Sequence, residues 1–217
     1  NTINDVIGQT TLLGENGLVR RMVDNKKLSN LILWGPPGCG KTTIARALAN
    51  SVDMEFVPMS AVFSGTADIK KAMDTARMVR DIGRSTLLFI DEIHRFNKTQ
   101  QDTLLPYLED GTVVFIGATT ENPSFNLNNA LLSRCHVGVL QPLGTEDLLT
   151  LIERAEEFLE RILPLDTAAR KHLAQMADGD ARFLLNTVEY LINANFKKQL
   201  SPDELDNAIQ KRAPMSD

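Results

Sequence analysis

Apolar positions fall into two textures along the chain. Leu31-Ile32-Leu33-Trp34, Ser85-Thr86-Leu87-Leu88-Phe89-Ile90, Val113-Val114-Phe115-Ile116-Gly117-Ala118 and Val137-Gly138-Val139-Leu140 are short, nearly unbroken runs, and Glu55-Phe56-Val57-Pro58 is a weaker one. Such runs suit strands covered on both faces by helices. Between them the spacing turns helical: Ile44 and Leu48 share a face within 43–49, and Ile69, Met73 and Ala76 form a stripe within 66–80. Thr66 is expected to cap the second of these helices and Gly83 to stop it; Asn97 and Gln100 form a capping box for a helix through about Tyr107. Asp110-Gly111 then turns the chain into the fourth run. Strands alternating with helices predict an α/β fold with a five-stranded parallel sheet flanked by helices.

Past Gln141-Pro142-Leu143-Gly144 only helical spacing remains. Thr145 is expected to cap a helix opening with Glu146 and Asp147, acids that suit the positive end of the dipole. Asp166 caps the next, Gly179 ends it, and Asp180 starts a helix running through Arg182, Leu185, Val188 and Glu189. Ser201-Pro202-Asp203-Glu204 combines a cap, a first-turn proline and a capping-box glutamate. The pattern predicts two domains, an α/β domain over 1–142 and a small all-α domain over 143–217.

Composition narrows the function classes. Of 217 residues 43% are hydrophobic and 24% charged, and the net charge is −5, which argues against a strongly basic nucleic-acid binder. The basic pairs Arg20-Arg21, Lys26-Lys27, Lys70-Lys71 and Lys197-Lys198 read as solvated helix faces. No apolar run has the length of a membrane span and no secretory pattern opens the chain, so no membrane partner is expected. Cys39 and Cys135 lack zinc-type spacing and form no disulfide framework, which points to a reducing compartment. His94, His136 and His172 are scattered and read as packing or surface residues.

The chemistry starts where the first run ends. Gly35-Pro36-Pro37-Gly38-Cys39-Gly40-Lys41-Thr42 fits G-x-x-x-x-G-K-[ST] between a strand and a helix, the context in which that loop wraps phosphates. Glycines let backbone N–H groups approach an anion, and the following helix aims its positive end there. Pro37, Gly38, Cys39, Gly40 and Thr43 line this cradle, Lys41 supplies a cation for the outer phosphates, and Thr42 offers a hydroxyl to Mg²⁺. The Cys39 thiol, among helix N-terminal amides, is expected to favour thiolate. Asp91-Glu92 closes the apolar strand at 85–90, so Asp91 is a second Mg²⁺ ligand and Glu92, where the chain leaves the strand, is a base for the attacking water. Three residues compete as sensors of the γ-phosphate: Thr120 at a strand end, Arg134 after a short helix, and Arg182 in a helix first turn, where a cation is unusual. Spacing alone leaves these three even.

With these motifs the chain resembles the AAA+ ATPases. Val6-Ile7-Gly8-Gln9 resembles the segment that packs against adenine there; Gly35–Thr42 matches Walker A and Leu87–Glu92 Walker B. Thr120 falls at the sensor-1 position, Ser133-Arg134-Cys135 resembles an arginine-finger motif, and Gly179-Asp180-Ala181-Arg182 resembles the sensor-2 motif of the helical lid. The stretches from Asp91 through His94, Arg95, Phe96, Asn97 and Lys98 to Asp102, and from Ile116 to Phe125, narrow the likeness to the replication-associated recombination protein A group, which includes the Werner helicase-interacting ATPase. The resemblance implies ATP and Mg as cofactors, with Thr120 positioning water, Arg182 touching the γ-phosphate of its own subunit and Arg134 acting on a neighbour's nucleotide. It also implies a DNA-stimulated ATPase at stalled forks, DNA ends or gaps and single-strand-binding protein as partners, a homo-oligomer in the full-length protein, and a cytoplasmic or nuclear home. His94, Arg95 and Lys98 are expected on the pore side of that assembly. The rival functions are a clamp-loader or branch-migration subunit and a nucleotide-gated scaffold with incidental hydrolysis.

Overall fold

The computed structural model of the chain describes residues 2–212. Residues 213–217, the end of the expected second domain, lie outside the described residues. A 3-10 turn (Ile3–Asp5), α1 (Thr10–Leu13) and α2 (Leu18–Asp24) lead into β1 (Leu31–Trp34). There follow α3 (Lys41–Ser51), β2 (Glu55–Ser60), α4 (Thr66–Asp81), β3 (Thr86–Asp91), a 3-10 turn (Ile93–Arg95) and α5 (Lys98–Glu109). The sheet is completed by β4 (Val114–Thr119) and, after the one-turn helices α6 (Pro123–Asn126) and α7 (Asn129–Leu132), by β5 (His136–Val139). The order is β2-β3-β4-β1-β5 and every pairing is parallel.

Two-sided burial explains the unbroken apolar runs. Leu31 and Leu33 of β1, Leu87 and Phe89 of β3, and Ile116 and Ala118 of β4 pack with Ile44, Ala45 and Leu48 of α3. Their alternating neighbours Ile32, Leu88, Ile90 and Phe115 pack on the other face with Ile69 and Met73 of α4 and Leu104 and Leu108 of α5. Each strand therefore feeds two cores, and no position in it can be polar without cost.

The strand edges differ from the apolar pattern by a residue. β3 ends on Asp91, paired in register with Ser60, and β4 ends on Thr119, level with Trp34. β5 begins at His136, whose N–H donates to the Asn30 carbonyl at 2.9 Å. Ladder hydrogen bonds, not apolarity, set these ends. Two caps are also corrected. Gly65 and Gly144 are the N-caps, and Asp68 and Asp147 accept from their N–H groups at 2.8 and 3.1 Å; Thr66 and Thr145 are first helical residues. The acid at the third helical position satisfies the cap amide, so no capping hydroxyl is needed. The Asn97–Gln100 box forms as expected: the Gln100 N–H donates to Asn97 Oδ1 at 2.9 Å and the Asn97 N–H to Gln100 Oε1 at 3.0 Å.

Residues up to Gln141 and residues from Pro142 onward form two compact units. The second contains α8 (Thr145–Leu159), α9 (Thr167–Met176), α10 (Ala181–Asn193) and α11 (Pro202–Arg212). Its core joins Leu148, Ile152, Leu173, Leu184, Val188, Leu191 and Leu205. Leu185 is exposed, so the buried stripe of α10 runs Leu184-Val188-Leu191. Asp166 caps α9 by accepting from the Ala169 N–H at 2.7 Å. Gly179 has φ +82°, and a Cβ there would lie 2.5 Å from the Pro142 Cβ, so conformation and close approach both demand glycine. Among the described residues no helix is long and apolar enough to cross a membrane.

The box at the start of α5 is testable. Asn97→Ala should lower the unfolding free energy of the first unit by about 1 kcal/mol, as loss of an N-cap does. Urea denaturation followed by circular dichroism checks it; an unmoved midpoint would contradict the assigned cap.

Candidate active site

The loop after β1 is shaped by glycine. Gly35 donates its N–H to the Thr119 carbonyl at 3.1 Å, and a Cβ on Gly35 would lie 2.8 Å from the Leu140 Cβ and 2.9 Å from its carbonyl oxygen. Gly38 and Gly40 have φ of +69° and +99°. Gly40 is the N-cap of α3 and has no side chain to cap it, so the first-turn amides of α3 are left for an anion. Lys41, the first residue of α3, is buried, and its Nζ donates to the carbonyls of Gly35 at 2.8 Å and Pro36 at 2.7 Å. Those bonds use two of the ammonium's three donors. Thr42 is half-buried; Pro37 and Thr43 are exposed.

Cys39 departs from the sequence expectation. Its side chain packs into the core with Leu31, Leu33, Ile44 and Leu140 and does not face the cradle. The left-handed glycines on either side turn the loop so that only its backbone lies on the phosphate side. Its carbonyl accepts from Gln9 Nε2 at 3.1 Å. The same amide donates to the Gln141 carbonyl at 2.7 Å, and Gln9 Oε1 accepts from the Gln141 N–H at 3.0 Å. Gln9 thus fastens the 6–9 segment beside the loop; Val6 packs against the core there and Ile7 is half-buried.

Glu92 leaves β3 in the left-handed region, φ +55°, and its N–H donates to Asp91 Oδ1 at 3.1 Å. The two carboxylates therefore stand at the same strand end. The His94 side chain is buried within its own chain, 3% exposed, with Nε2 at 3.2 Å from Glu92 Oε2 and 3.5 Å from Glu121 Oε1. Its Nδ1 lies 2.9 Å from Thr119 Oγ1. Thr119 is fully buried, accepts from the Glu121 N–H at 3.0 Å and has its hydroxyl 3.1 Å from the Glu121 carbonyl. Thr120, the next residue, is exposed, and its hydroxyl bonds no described residue. Sequence reasoning missed the His94–Thr119 pair; the signal was a histidine two residues past the acidic pair, on a turn too short to turn it outward. Arg95 and Lys98 are exposed.

The two arginines lie elsewhere. Arg134 donates from Nε to Glu109 Oε1 at 2.9 Å, pairs with it again through a second nitrogen, and donates from Nη1 to the Ala130 carbonyl at 2.7 Å. Asn30 holds the Arg134 carbonyl at 3.4 Å and accepts from the Phe115 N–H at 2.9 Å, which puts Arg134 at the N-terminal edge of the sheet beside an open cleft of about 440 Å³. The phosphate loop is at the other edge, roughly 16 Å along β1 at about 3.3 Å per residue. Arg134 does not join the loop of its own chain. In the second unit, Asp180 Oδ1 accepts from the N–H groups of Arg182 and Phe183 at 2.8 and 3.1 Å. That carboxylate satisfies the positive helix end, so the cation in the first turn needs no further anion to explain it. The Arg182 guanidinium is exposed and has no carboxylate partner among the described residues.

A model of the ATPase family associated with various cellular activities (AAA) matches residues 31–143. The chain belongs to the AAA family. A model of an AAA C-terminal domain matches residues 159–217. The chain is 47% identical over 94% of its length to the ATPase WRNIP1 of Dictyostelium discoideum, covering 24% of that protein. It is 44% identical over 97% of its length to the replication-associated recombination protein A of Escherichia coli K12, covering 49%. It thus spans about a quarter and about half of these relatives. A Thermotoga maritima RuvB mutant matches with a TM-score of 0.75 at 25% identity, over 97% of this chain and 72% of that one.

The AAA cradle fits a magnesium nucleotide. The uncapped α3 amides and the buried Lys41 suit a polyphosphate, and Thr42 and Asp91 suit a hard cation. Among the described residues no three His, Cys, Asp or Glu side chains form a metal cluster, so phosphate and water would complete the coordination of Mg²⁺.

Both thiols should resist native-state alkylation. Cys39 is buried, and burial pushes the Cys135 thiol up to about 12 from its ordinary 9.0, against a smaller downward pull from Arg134. Because the folded chain keeps this proton longer than the unfolded one, Cys135 adds no pH dependence below 9 and costs stability as pH rises from 9 toward 12. Iodoacetamide at pH 8, followed by mass spectrometry, should label both residues efficiently only after denaturant is added; rapid native labelling of Cys39 would contradict its burial, and of the half-buried Cys135 its raised pKa.

Proposed function

We propose that this AAA domain hydrolyses ATP with Mg²⁺ and couples the reaction to DNA at stalled or damaged replication forks. One observation carries the reading. The phosphate loop, the end of β4 and the acidic pair meet at one place: the Gly35 N–H donates to the Thr119 carbonyl, the Thr119 hydroxyl bonds His94 Nδ1, and His94 Nε2 lies 3.2 Å from Glu92 Oε2. The α3 amides and Lys41 bind the β- and γ-phosphates, while Val6 and Ile7 pack on adenine. Thr42 and Asp91 would hold Mg²⁺, which when bound would neutralise developing phosphate charge. Glu92 takes a proton from water as its oxygen bonds the γ-phosphorus and the bond to the β–γ bridging oxygen breaks, giving ADP and phosphate. Thr120 orients that water. Arg182 acts on the γ-phosphate of its own chain, and Arg134, on the far sheet edge, acts on the nucleotide of a neighbouring copy, which makes a homo-oligomer the working form.

DNA coupling rests on the relatives and on one surface. Phe63 and Phe125 are 89% and 85% exposed. Gln100 Nε2 donates to the Ser64 carbonyl at 3.2 Å and Gln101 Nε2 to the Asn126 carbonyl at 3.1 Å, so both aromatic segments are tied to the first turn of α5. Lys98 opens that helix and Arg95 precedes it, neither with a carboxylate partner among the described residues. Aromatic faces and free cations suit a single strand, by stacking and phosphate contact. Forks, ends or gaps are the substrates proposed, with single-strand-binding protein as a partner. The likeness to RuvB, one of whose solved forms is described as a Holliday junction branch migration motor, favours a second reading in which four-way junctions are the substrate.

Glu92→Gln should cut turnover by about 10²–10⁴ and keep ATP bound, whereas Lys41→Ala should weaken ATP binding itself. Steady-state ATPase assays and filter binding separate them; equal loss of binding in both would sink the base assignment. In the full-length protein, DNA should raise the ATPase rate, more with forked or gapped DNA than with blunt duplex. Phe63→Ala and Arg95→Ala/Lys98→Ala should reduce that stimulation and leave the DNA-free rate unchanged. Stimulation by four-way junctions alone would favour the second reading, and a response unaltered in these variants would remove this surface from the DNA path.

A further inference from the structure

His94 sits between three residues that the proposed chemistry already needs or adjoins. Its side chain is 3% exposed, and its two nitrogens face in opposite directions. Nε2 lies 3.2 Å from Glu92 Oε2, and Nδ1 lies 2.9 Å from Thr119 Oγ1. A ring nitrogen that faces the carboxylates of both Glu92 and Glu121 must carry hydrogen, because a lone pair there would repel them. The imidazole N–H therefore faces both carboxylates and lies nearer to Glu92 Oε2 than to Glu121 Oε1.

Resting on the reading of Glu92 as base, we propose that His94 is a positioning residue which ties the Glu92 carboxylate to the end of β4 and so aligns the base with whatever occupies the phosphate loop. Three features support it. Glu92 leaves β3 with a left-handed backbone, uncommon for a residue other than glycine, and its carboxylate is set against the buried His94 ring. Thr119 is fully buried and doubly bonded to the Glu121 backbone, so the anchor at the other end of the imidazole is rigid. Thr119 also precedes Thr120 in the chain, and its carbonyl accepts from the first residue of the phosphate loop. Misalignment of a base by about 1 Å can cost up to about 10²-fold in rate, so a short rigid link matters.

A histidine that only filled a buried hole would behave differently. Its loss would lower stability and leave the ratio of kcat to nucleotide affinity alone. The test uses the full-length protein and four variants. His94→Ala and Thr119→Val should each lower kcat for ATP roughly 10- to 100-fold, with KM and ADP affinity within about twofold. Thr119→Ser, which keeps the hydroxyl, should retain most of the rate. The His94→Ala/Thr119→Val double variant should be no slower than His94→Ala alone, since both ends of one link are gone. Glu92→Gln is measured beside them. If it is inactive while His94→Ala and Thr119→Val turn over at the wild-type rate, the positioning role is overturned and the base assignment stands. If Glu92→Gln turns over normally, both are overturned. Should His94→Ala fail to fold, the near-isosteric Thr119→Val decides: wild-type kcat overturns the proposal, and a fall in kcat at unchanged KM supports it.

Discussion

A helix that begins without a side-chain cap, under a buried lysine, is the constraint from which the rest of this domain follows. The first-turn amides of α3 cannot be left bare in a packed environment, and Gly40 has nothing to offer them. Lys41 meets only two loop carbonyls. Charge of one sign is thereby concentrated at a single point on the C-terminal edge of the sheet, and an anion is the chemical complement. A fully parallel sheet brings the ends of β1, β3 and β4 to that same edge. The loop, the acidic pair and the Thr119–Thr120 strand end are neighbours because of direction and strand order, although about 80 residues separate the first from the last.

The packing that fixes this edge is unusually intolerant at a few points. Gly35 has no room for a Cβ against Leu140, the residue just past β5. Gln9 bonds both Cys39 and Gln141. The phosphate loop is thus held by its own glycines, by a buried thiol beneath it and by an amide beside it. Such support makes the cradle preorganised, which is what electrostatic stabilisation of a charged transition state requires.

The central strands β1, β3 and β4 were legible in the sequence because each is buried on both faces and so reads as a run; strand ends were not. Asp91 and Thr119 are polar, yet the ladder includes them. The threonines at 66 and 145 looked like caps because a hydroxyl before a helical stripe usually is one; in both cases glycine precedes an acid three positions on and the acid takes over. The phosphate loop and the acidic pair were legible as motifs, since their spacing carries the mechanism. The direction of the Cys39 side chain was not, because two left-handed glycines set it. The choice between packing and surface for His94 was not legible for a related reason. Polar residues after a strand usually face water, but a 3-10 turn spanning Ile93–Arg95 folds the imidazole back over the strand end. The partners that make it stable come from Glu121 and Thr119, about 25 residues away in sequence, and no local pattern encodes them.

The two edges of the sheet also divide the labour. The C-terminal edge holds the phosphate loop, Lys41, Asp91 and Glu92, the groups proposed to bind a triphosphate and activate water. The N-terminal edge holds Arg134, paired with Glu109 at a partly exposed site beside an open cleft. An exposed pair of this kind is weak, worth about 1 kcal/mol or less, so a better anion can draw the guanidinium away. A cation on the face opposite its own chain's nucleotide is useful to hydrolysis only when another copy presents its C-terminal edge there. Head-to-tail contact of this sort uses two different surfaces, and repeated by rotation it closes into a ring. Under the proposed function, chemistry on one edge and a loosely held arginine on the other would make the rate of one chain depend on its neighbours.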